Sequence, residues 1–270
     1  MTAPSLRPLA EFPAEARRRV SCVLTDIDDT LTVDGLLRPA AFAALHRLAE
    51  AGISVVPVTG RPAGWCDLIA RQWPVAGVVG ENGALWFRHD HAGRRIARGY
   101  WFDAERRRDD RARLDALTAR IAEAVPAARP ASDQGYRESD LAIDWCEDAD
   151  ALSRAELDRI VALAQEAGAT VRVSSIHVNI WFGEFSKLAM TERFLADAFA
   201  IDVRAEPERF VFVGDSPNDS TMFDFFPNSV GVANVLDFVG RIEAEPTYVA
   251  PSRGGDGFAE VADALLSARR

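Results

Sequence analysis

Short apolar runs alternate with stretches of helical periodicity over the first third of the chain. Val20-Ser21-Cys22-Val23-Leu24 and Val55-Val56-Pro57-Val58 read as buried strands. Between them, Ala40 to Ala51 carries apolar residues at helical spacing and stops at Gly52, a suitable helix end. A second helix is expected over Ala63 to Gln72, and a short strand over Gly77 to Val79. Strand, helix, strand, helix is the start of a parallel α/β sheet with right-handed crossovers. The same pattern returns late in the chain. A helix is expected over Lys187 to Phe199 and a strand over Phe210 to Gly214. Shorter strands follow at Ser229 to Ala233 and, at a sheet edge, Thr247 to Val249, then a helix over Gly254 to Ala268. Residues 1 to about 18 read as a polar lead-in.

The middle of the chain has a different rhythm. Leu85 to Phe102 reads as a hairpin turning at His89-Asp90-His91-Ala92-Gly93, with both histidines as exposed polar residues. A long charged helix is expected over Asp103 to Val125, a loop over Pro126 to Asp133, and a strand over Leu141 to Cys146. Ser153 to Ala167 reads as a helix opened by a Ser153/Glu156 capping box and closed at Gly168. Val171 to Val173 and His177 to Phe182 complete the segment as strands. This is an α+β insert with a hint of a repeated αββ unit, expected to be a mobile cap. The expected division is 1–87 and 184–270 for the α/β core and 88–183 for the cap.

The core strands end in polar groups. The first is followed by Asp26-Ile27-Asp28-Asp29-Thr30-Leu31, the second by Thr59-Gly60-Arg61, the third by Asp215-Ser216-Pro217-Asn218-Asp219. Lys187 opens the helix before the third strand. Open α/β sheets place their sites at the carboxyl ends of strands. Two carboxylates there suit a nucleophile, a general acid and a divalent cation. Taken singly, each segment has a bland reading: paired acids and Gly-Asp-Ser-Pro-Asn-Asp are ordinary turn chemistry, and a lone lysine is a solvated surface group. Their delivery to one end of one sheet favours a site.

This set, in this order, resembles the haloacid dehalogenase superfamily of aspartyl phosphotransferases. The resemblance is carried by Asp26-x-Asp28-x-Thr30, Thr59, Lys187 and Gly214-Asp215-x-x-Asn218-Asp219. Glu81-Asn82-Gly83-Ala84 is similar to a segment of the Cof-like, type IIB branch, which includes sucrose-phosphate and mannosyl-3-phosphoglycerate phosphatases and phosphomannomutases. Asp29 departs from the glycine found in many members. The resemblance implies a Rossmann-like core with a mainly parallel sheet and an α+β cap inserted between the second and third motifs. It implies Asp26 as nucleophile, Asp28 as general acid and base, Thr59 as a hydrogen-bond donor to phosphoryl oxygen, and Lys187 as the balancing charge. Magnesium would take oxygen ligands from Asp26, Asp215 and the Asp28 carbonyl, with Asn218 and Asp219 holding its water or Lys187.

The implied activity is a magnesium-dependent phosphatase acting on a small phosphomonoester, a sugar phosphate first, through an aspartyl-phosphate. Two alternatives stand beside it. One is a phosphomannomutase-like phosphosugar mutase. The other is a non-catalytic sugar-phosphate-binding regulator, which is expected to have lost Asp26, Asp28 or Lys187. Substrate contacts are expected from Thr59, Gly60 and Arg61 on the core and from Arg137, His177 and Asn179 on the cap. His177, Asn179 and Trp181 share one strand face, by period two, and that face meets either the cleft or the cap's own helices.

The 270 residues are ordinary for a globular protein, 48% hydrophobic and 27% charged, with a net charge of −10. That charge argues against nucleic acid or an anionic membrane as partner. Cys22, Cys66 and Cys146 fit neither a disulfide framework nor a zinc site. No apolar run reaches membrane-span length, and Met1 to Arg19 lacks the pattern of a secretion signal. The expectation is a cytoplasmic monomer or homodimer whose partner is a small phosphorylated metabolite.

Overall fold

The computed structural model describes residues 6–269. Cys22–Thr25, Ser54–Pro57 and Phe210–Gly214 lie side by side, as their continuous apolar character requires of strands buried on both faces. They belong to a six-stranded sheet in the order Arg7–Pro8, Tyr248–Val249, Ser229–Gly231, Phe210–Gly214, Cys22–Thr25, Ser54–Pro57. All of its pairings are parallel. A parallel bridge between Val58 and Val79 carries the sheet on to Val78–Gly80.

Alternation along the strands builds two apolar layers. Val23, Val55, Val211 and Val213 face helices Pro39–Glu50 and Gly254–Ser267. Leu24, Val56, Phe210 and Phe212 face Met190, Phe194 and Leu195 of helix Lys187–Phe199 and Met222 and Phe223 of helix Ser220–Phe225. The result is the α/β class expected, helices on both faces of a parallel sheet.

The N-terminal segment differs from the expected polar lead-in, whose residues 1–5 lie outside the described residues. Arg7–Pro8 forms the outer strand, so Tyr248–Val249 is not an edge. Phe12, 1% exposed, stacks on Tyr248 with ring centroids 4.8 Å apart, and Ala14–Arg19 is a helix. Leu9 and Phe12 anchor the segment, and two buried residues are too few to register as periodicity. A second unexpected element is a small hairpin, Thr32–Val33 with Leu36–Leu37. Asp34 and Gly35 turn it with φ of 50° and 72°, the Asp-Gly chemistry of tight hairpins.

Leu85–Asp90 and Arg95–Tyr100 form the expected hairpin, and its inner strand also pairs with Val78–Gly80. Leu85 and Phe87 enter one core layer and Trp86 the other. Residue 88 therefore falls inside a strand bound to the core. Beyond it, an antiparallel sheet runs in the order Thr170–Val173, His177–Trp181, Leu141–Asp144, Arg129–Pro130. The stretch expected as a loop thus supplies an edge strand, where Pro130 is tolerated because its missing N–H faces no partner. Helices Ala104–Ala124 and Arg154–Glu166 cover one face through Leu114, Leu117, Ile121, Ile160 and Leu163 against Val178 and Ile180. Each helix precedes two strands, so the αββ unit occurs twice. The Ser153/Glu156 capping box is formed in both directions.

Candidate active site

Asp26 leaves the end of Cys22–Thr25, its N–H donating to Val213 O at 2.9 Å across the sheet. Its neighbours come from the other strand ends. Lys187 Nζ lies 3.2 Å from Asp26 Oδ2 and donates to Asp219 Oδ1 at 2.8 Å. Thr30 Oγ1 donates to Asp215 Oδ1 at 3.2 Å, and the Asp215 N–H donates to Asp219 Oδ2 at 3.1 Å. Asp219 packs where a Cβ on Gly214 would sit, 2.3 Å from its Oδ2, so only glycine admits this arrangement. Asp26, Asp215 and Asp219 are all buried and offer oxygens within 4.8 Å of one another.

One ammonium faces three buried carboxylates here. Burial pushes the Asp26 carboxyl up to about 7; Lys187 pulls it down, while Asp219 and Asp28 add to the rise. Burial also holds Asp215 well above the ordinary carboxylate range, with Asp219 and Asp26 adding to it. For Lys187, burial opposes the charge, but Asp219 and Asp26 outweigh it and raise its pKa. Asp26 Oδ1 and Asp215 Oδ2 are buried without a hydrogen-bond partner. Unpaired buried carboxylate oxygens are costly, and a divalent cation satisfies them. The donor set, carboxylates alone, is that of a hard cation such as magnesium.

Asp28 points elsewhere. Arg61 grips it bidentately, Nε at 2.9 Å and Nη2 at 2.7 Å from Oδ1. Arg61 is 3% exposed, stacks on the Trp65 ring at 4.3 Å, and also pairs with Asp133 and Glu147 of the insert. His177 Nε2 lies 2.9 Å from Glu147 Oε2. Arg61 was expected to contact substrate; here three carboxylates hold it. Arg137 is similarly engaged, with Asp140 at 3.0 Å, Asp133 at 3.4 Å and the Gly60 carbonyl at 2.8 Å.

Thr59 is fully buried at the same sheet end, its Oγ1 accepting from the Arg61 N–H at 3.1 Å. Asn218 is 8% exposed and its Oδ1 accepts from Ser216 Oγ at 2.8 Å. Asn179 Oδ1 is buried and unpartnered, and would lie 3.5 Å from a Cβ on Gly60. Since Val178 and Ile180 face the insert's helices, His177, Asn179 and Trp181 face the core. Asp29 adopts φ 54°, the conformation that explains why glycine suits this position.

The sequence does not single out Asp133, Asp140 or Glu147, and it marks Glu81 only as part of the Glu81-Asn82-Gly83-Ala84 segment, not as a site residue. Glu81 is fully buried and receives the backbone N–H groups of Ala63, Glu138, Ser139 and Asp140. Glu147 sits in a turn tied by Asp144, which accepts from the N–H groups of Cys146, Glu147 and Asp148. An acidic loop residue carries no periodic signal that marks such a role. His91 is exposed at the hairpin tip as expected, while His89, inside the strand Leu85–Asp90, is half-buried.

Residues 23–100 match the family model described as haloacid dehalogenase-like hydrolase. Over this stretch the chain is similar to the haloacid dehalogenase-like hydrolases. Solved structures agree on the fold over nearly the whole length of the chain. A Thermoplasma acidophilum protein superposes with a TM-score of 0.70 at 17% identity, covering 92% of this chain and 98% of its own. The sucrose-phosphatase of Synechocystis, in complex with sucrose and phosphate, gives 0.63 at 19% identity, covering 92% and 98%. The C-terminal domain of C. albicans trehalose-6-phosphate phosphatase gives 0.67 at 13% identity, covering 99% of each. No curated protein matches the sequence. Among the described residues no helix is long and apolar enough to cross a membrane.

Proposed function

We infer that this hydrolase cleaves a small phosphomonoester, a sugar phosphate in first place, through an aspartyl-phosphate on Asp26. The observation that carries this reading is the buried Asp26, Asp215 and Asp219 cluster, with Lys187 as its one ammonium and two carboxylate oxygens left unpaired. Two structural neighbours whose names specify a substrate are a sucrose-phosphatase and a trehalose-6-phosphate phosphatase, which supports a sugar phosphate.

Asp26, Asp215 and the Asp28 carbonyl would hold magnesium, with Asn218 and Asp219 around it. When bound, the ion screens the charge of carboxylate and phosphate so that one anion can approach the other. A carboxylate oxygen of Asp26 forms a bond to phosphorus as the ester P–O bond breaks, and Asp28 gives its proton to the departing alkoxide. Water then attacks phosphorus, Asp28 takes a proton from it, and the bond to Asp26 breaks. Lys187 neutralises Asp26 and the phosphoryl oxygens, and Thr59 donates to one of these oxygens. Residues 103–183 act as the cap, their core-facing strand excluding water from the intermediate.

The test is phosphate release from a panel of phosphomonoesters weighted towards sugar phosphates, with magnesium and with chelator, alongside Asp26→Asn. Magnesium-dependent release that falls by at least about 10³-fold in the variant is expected, since no other group replaces a nucleophile. Equal release by Asp26→Asn rules out the assignment.

A further inference from the structure

The register of the cap sheet places one more side chain over the site. Arg172 pairs with Asn179 across the antiparallel ladder, so the two side chains leave the same face. That face is the core-facing one, because Val171 and Val173, on either side of Arg172, pack on the opposite side with the cap's helices. Ala142, paired with Asn179 from the other neighbouring strand, leaves room beside it. The strand Thr170–Val173 lies against the Pro217–Asp219 turn, and that turn carries Asn218 and Asp219.

The charge state of the cleft singles this residue out. Its three buried cations are all matched: Lys187 by Asp26 and Asp219, Arg61 by Asp28, Asp133 and Glu147, Arg137 by Asp133 and Asp140. Arg172 is exposed, and among the described residues its one hydrogen bond is to Val171 O, a carbonyl of its own strand, with no carboxylate in ion-pair contact. Beside it, Asn179 Oδ1 is buried with no partner. A guanidinium without a carboxylate partner, on the ladder neighbour of an unsatisfied carboxamide, is a pair of recognition groups without their ligand.

We propose that Arg172 and Asn179 together recognise the leaving group, and that this group carries an anion, carboxylate or second phosphate, for Arg172 and a hydroxyl for Asn179. This rests on the phosphomonoesterase reading above and narrows its substrate class. Because Arg61 and Arg137 are already held by carboxylates, selectivity for the anion depends on Arg172.

The experiment compares kcat/KM for glucose 6-phosphate, 6-phosphogluconate and glucose 1,6-bisphosphate, in wild type, Arg172→Ala and Arg172→Lys, all with magnesium. The expected result is a wild-type preference for at least one anionic leaving group. In Arg172→Ala its ratio to glucose 6-phosphate should fall about tenfold or more, mainly through KM, and Arg172→Lys should recover part of it. The substrate whose ratio falls tells carboxylate from phosphate. Unchanged ratios, or an equal loss on all three substrates, overturn the proposal. If wild type releases phosphate from none of them, the phosphatase reading is decided separately by the wider panel described above. Calorimetric binding of 6-phosphogluconate and the bisphosphate to wild type and Arg172→Ala then decides on Arg172. At least about tenfold weaker binding in the variant upholds the role, and equal binding or none overturns it.

Discussion

Lys187 sits between Asp26 and Asp219 with only 3% of its surface exposed. Its ammonium neutralises buried carboxylates in the resting protein and, on the proposed mechanism, also balances phosphoryl charge during transfer. Lys187→Met removes both while keeping the length of the stem. Breaking a buried ion pair from one side costs about 3–5 kcal/mol, because the remaining charge stays desolvated. The variant should therefore lose that order of stability in urea unfolding and release no phosphate. A variant of unchanged stability would mean that the carboxylates are already protonated at rest. Magnesium should restore part of the lost stability, since the ion supplies positive charge to the same oxygens. Asp26 and Asp215 were legible in the sequence because each stands at the end of an apolar run, where the fold has one place to put it, whereas Lys187 opens a helix and stood out only through the family resemblance. Arg61 was visible only as a polar residue after a strand. Its partners Asp133 and Glu147 lie 72 and 86 residues away, in loops whose path no periodicity records.

At the scale of elements, the short turn Glu81–Gly83 joins the parts of the site. Asn82 N–H donates to Thr59 O, Glu81 N–H to Arg61 O, and Gly83 rests on the start of helix Lys187–Phe199. Gly83 has φ 106°, and a Cβ there would lie 2.1 Å from the Ser186 carbonyl oxygen. Gly83→Ala forces either the turn or the helix start to move, and Lys187 moves with the helix. The expected loss is about 2 kcal/mol or more in urea unfolding, from backbone strain and backbone overlap together, with a parallel drop in phosphate release. Wild-type stability and activity in this variant would show that the turn yields without moving Lys187. The core strands and the two αββ units were legible because burial on one or two faces writes itself into the apolar pattern. Arg7–Pro8 escaped notice because a two-residue strand has no pattern, and Asp34-Gly35 because its flanking strands are equally short. The sharing of the Leu85–Tyr100 hairpin with the core was hidden for another reason. A hairpin signals its own two strands but not the third strand it joins.

At the scale of the whole molecule, two acidic side chains join the α/β core to the inserted unit, and they respond to pH in opposite directions. Glu81 belongs to the core and receives three N–H groups from the insert's Glu138, Ser139 and Asp140. Burial, with Asp140 beside it, pushes its carboxyl up from 4.5 to about 7. A raised carboxyl favours the protonated folded state, so its share of stability is full below about 4.5 and is lost as pH rises through about 7. Glu147 belongs to the insert and grips Arg61 of the core. Burial opposes its charge, but hydrogen bonds from His177 and Arg61 prevail and bring it from 4.5 down to about 2. Its share is full above about 4.5 and is lost as pH falls through about 2. Stability should therefore pass through a maximum at mildly acidic pH, with Glu147 setting the acid limb. Glu147→Gln removes the charge and keeps the shape, so the gap between wild type and variant in urea unfolding should be widest above about pH 5 and close towards about pH 2. A gap that stays constant across that range would place the effect of Glu147 in packing. A gap that closes would show that its charge, acting through Arg61, holds the insert against the strand ends that carry Asp26 and Asp28.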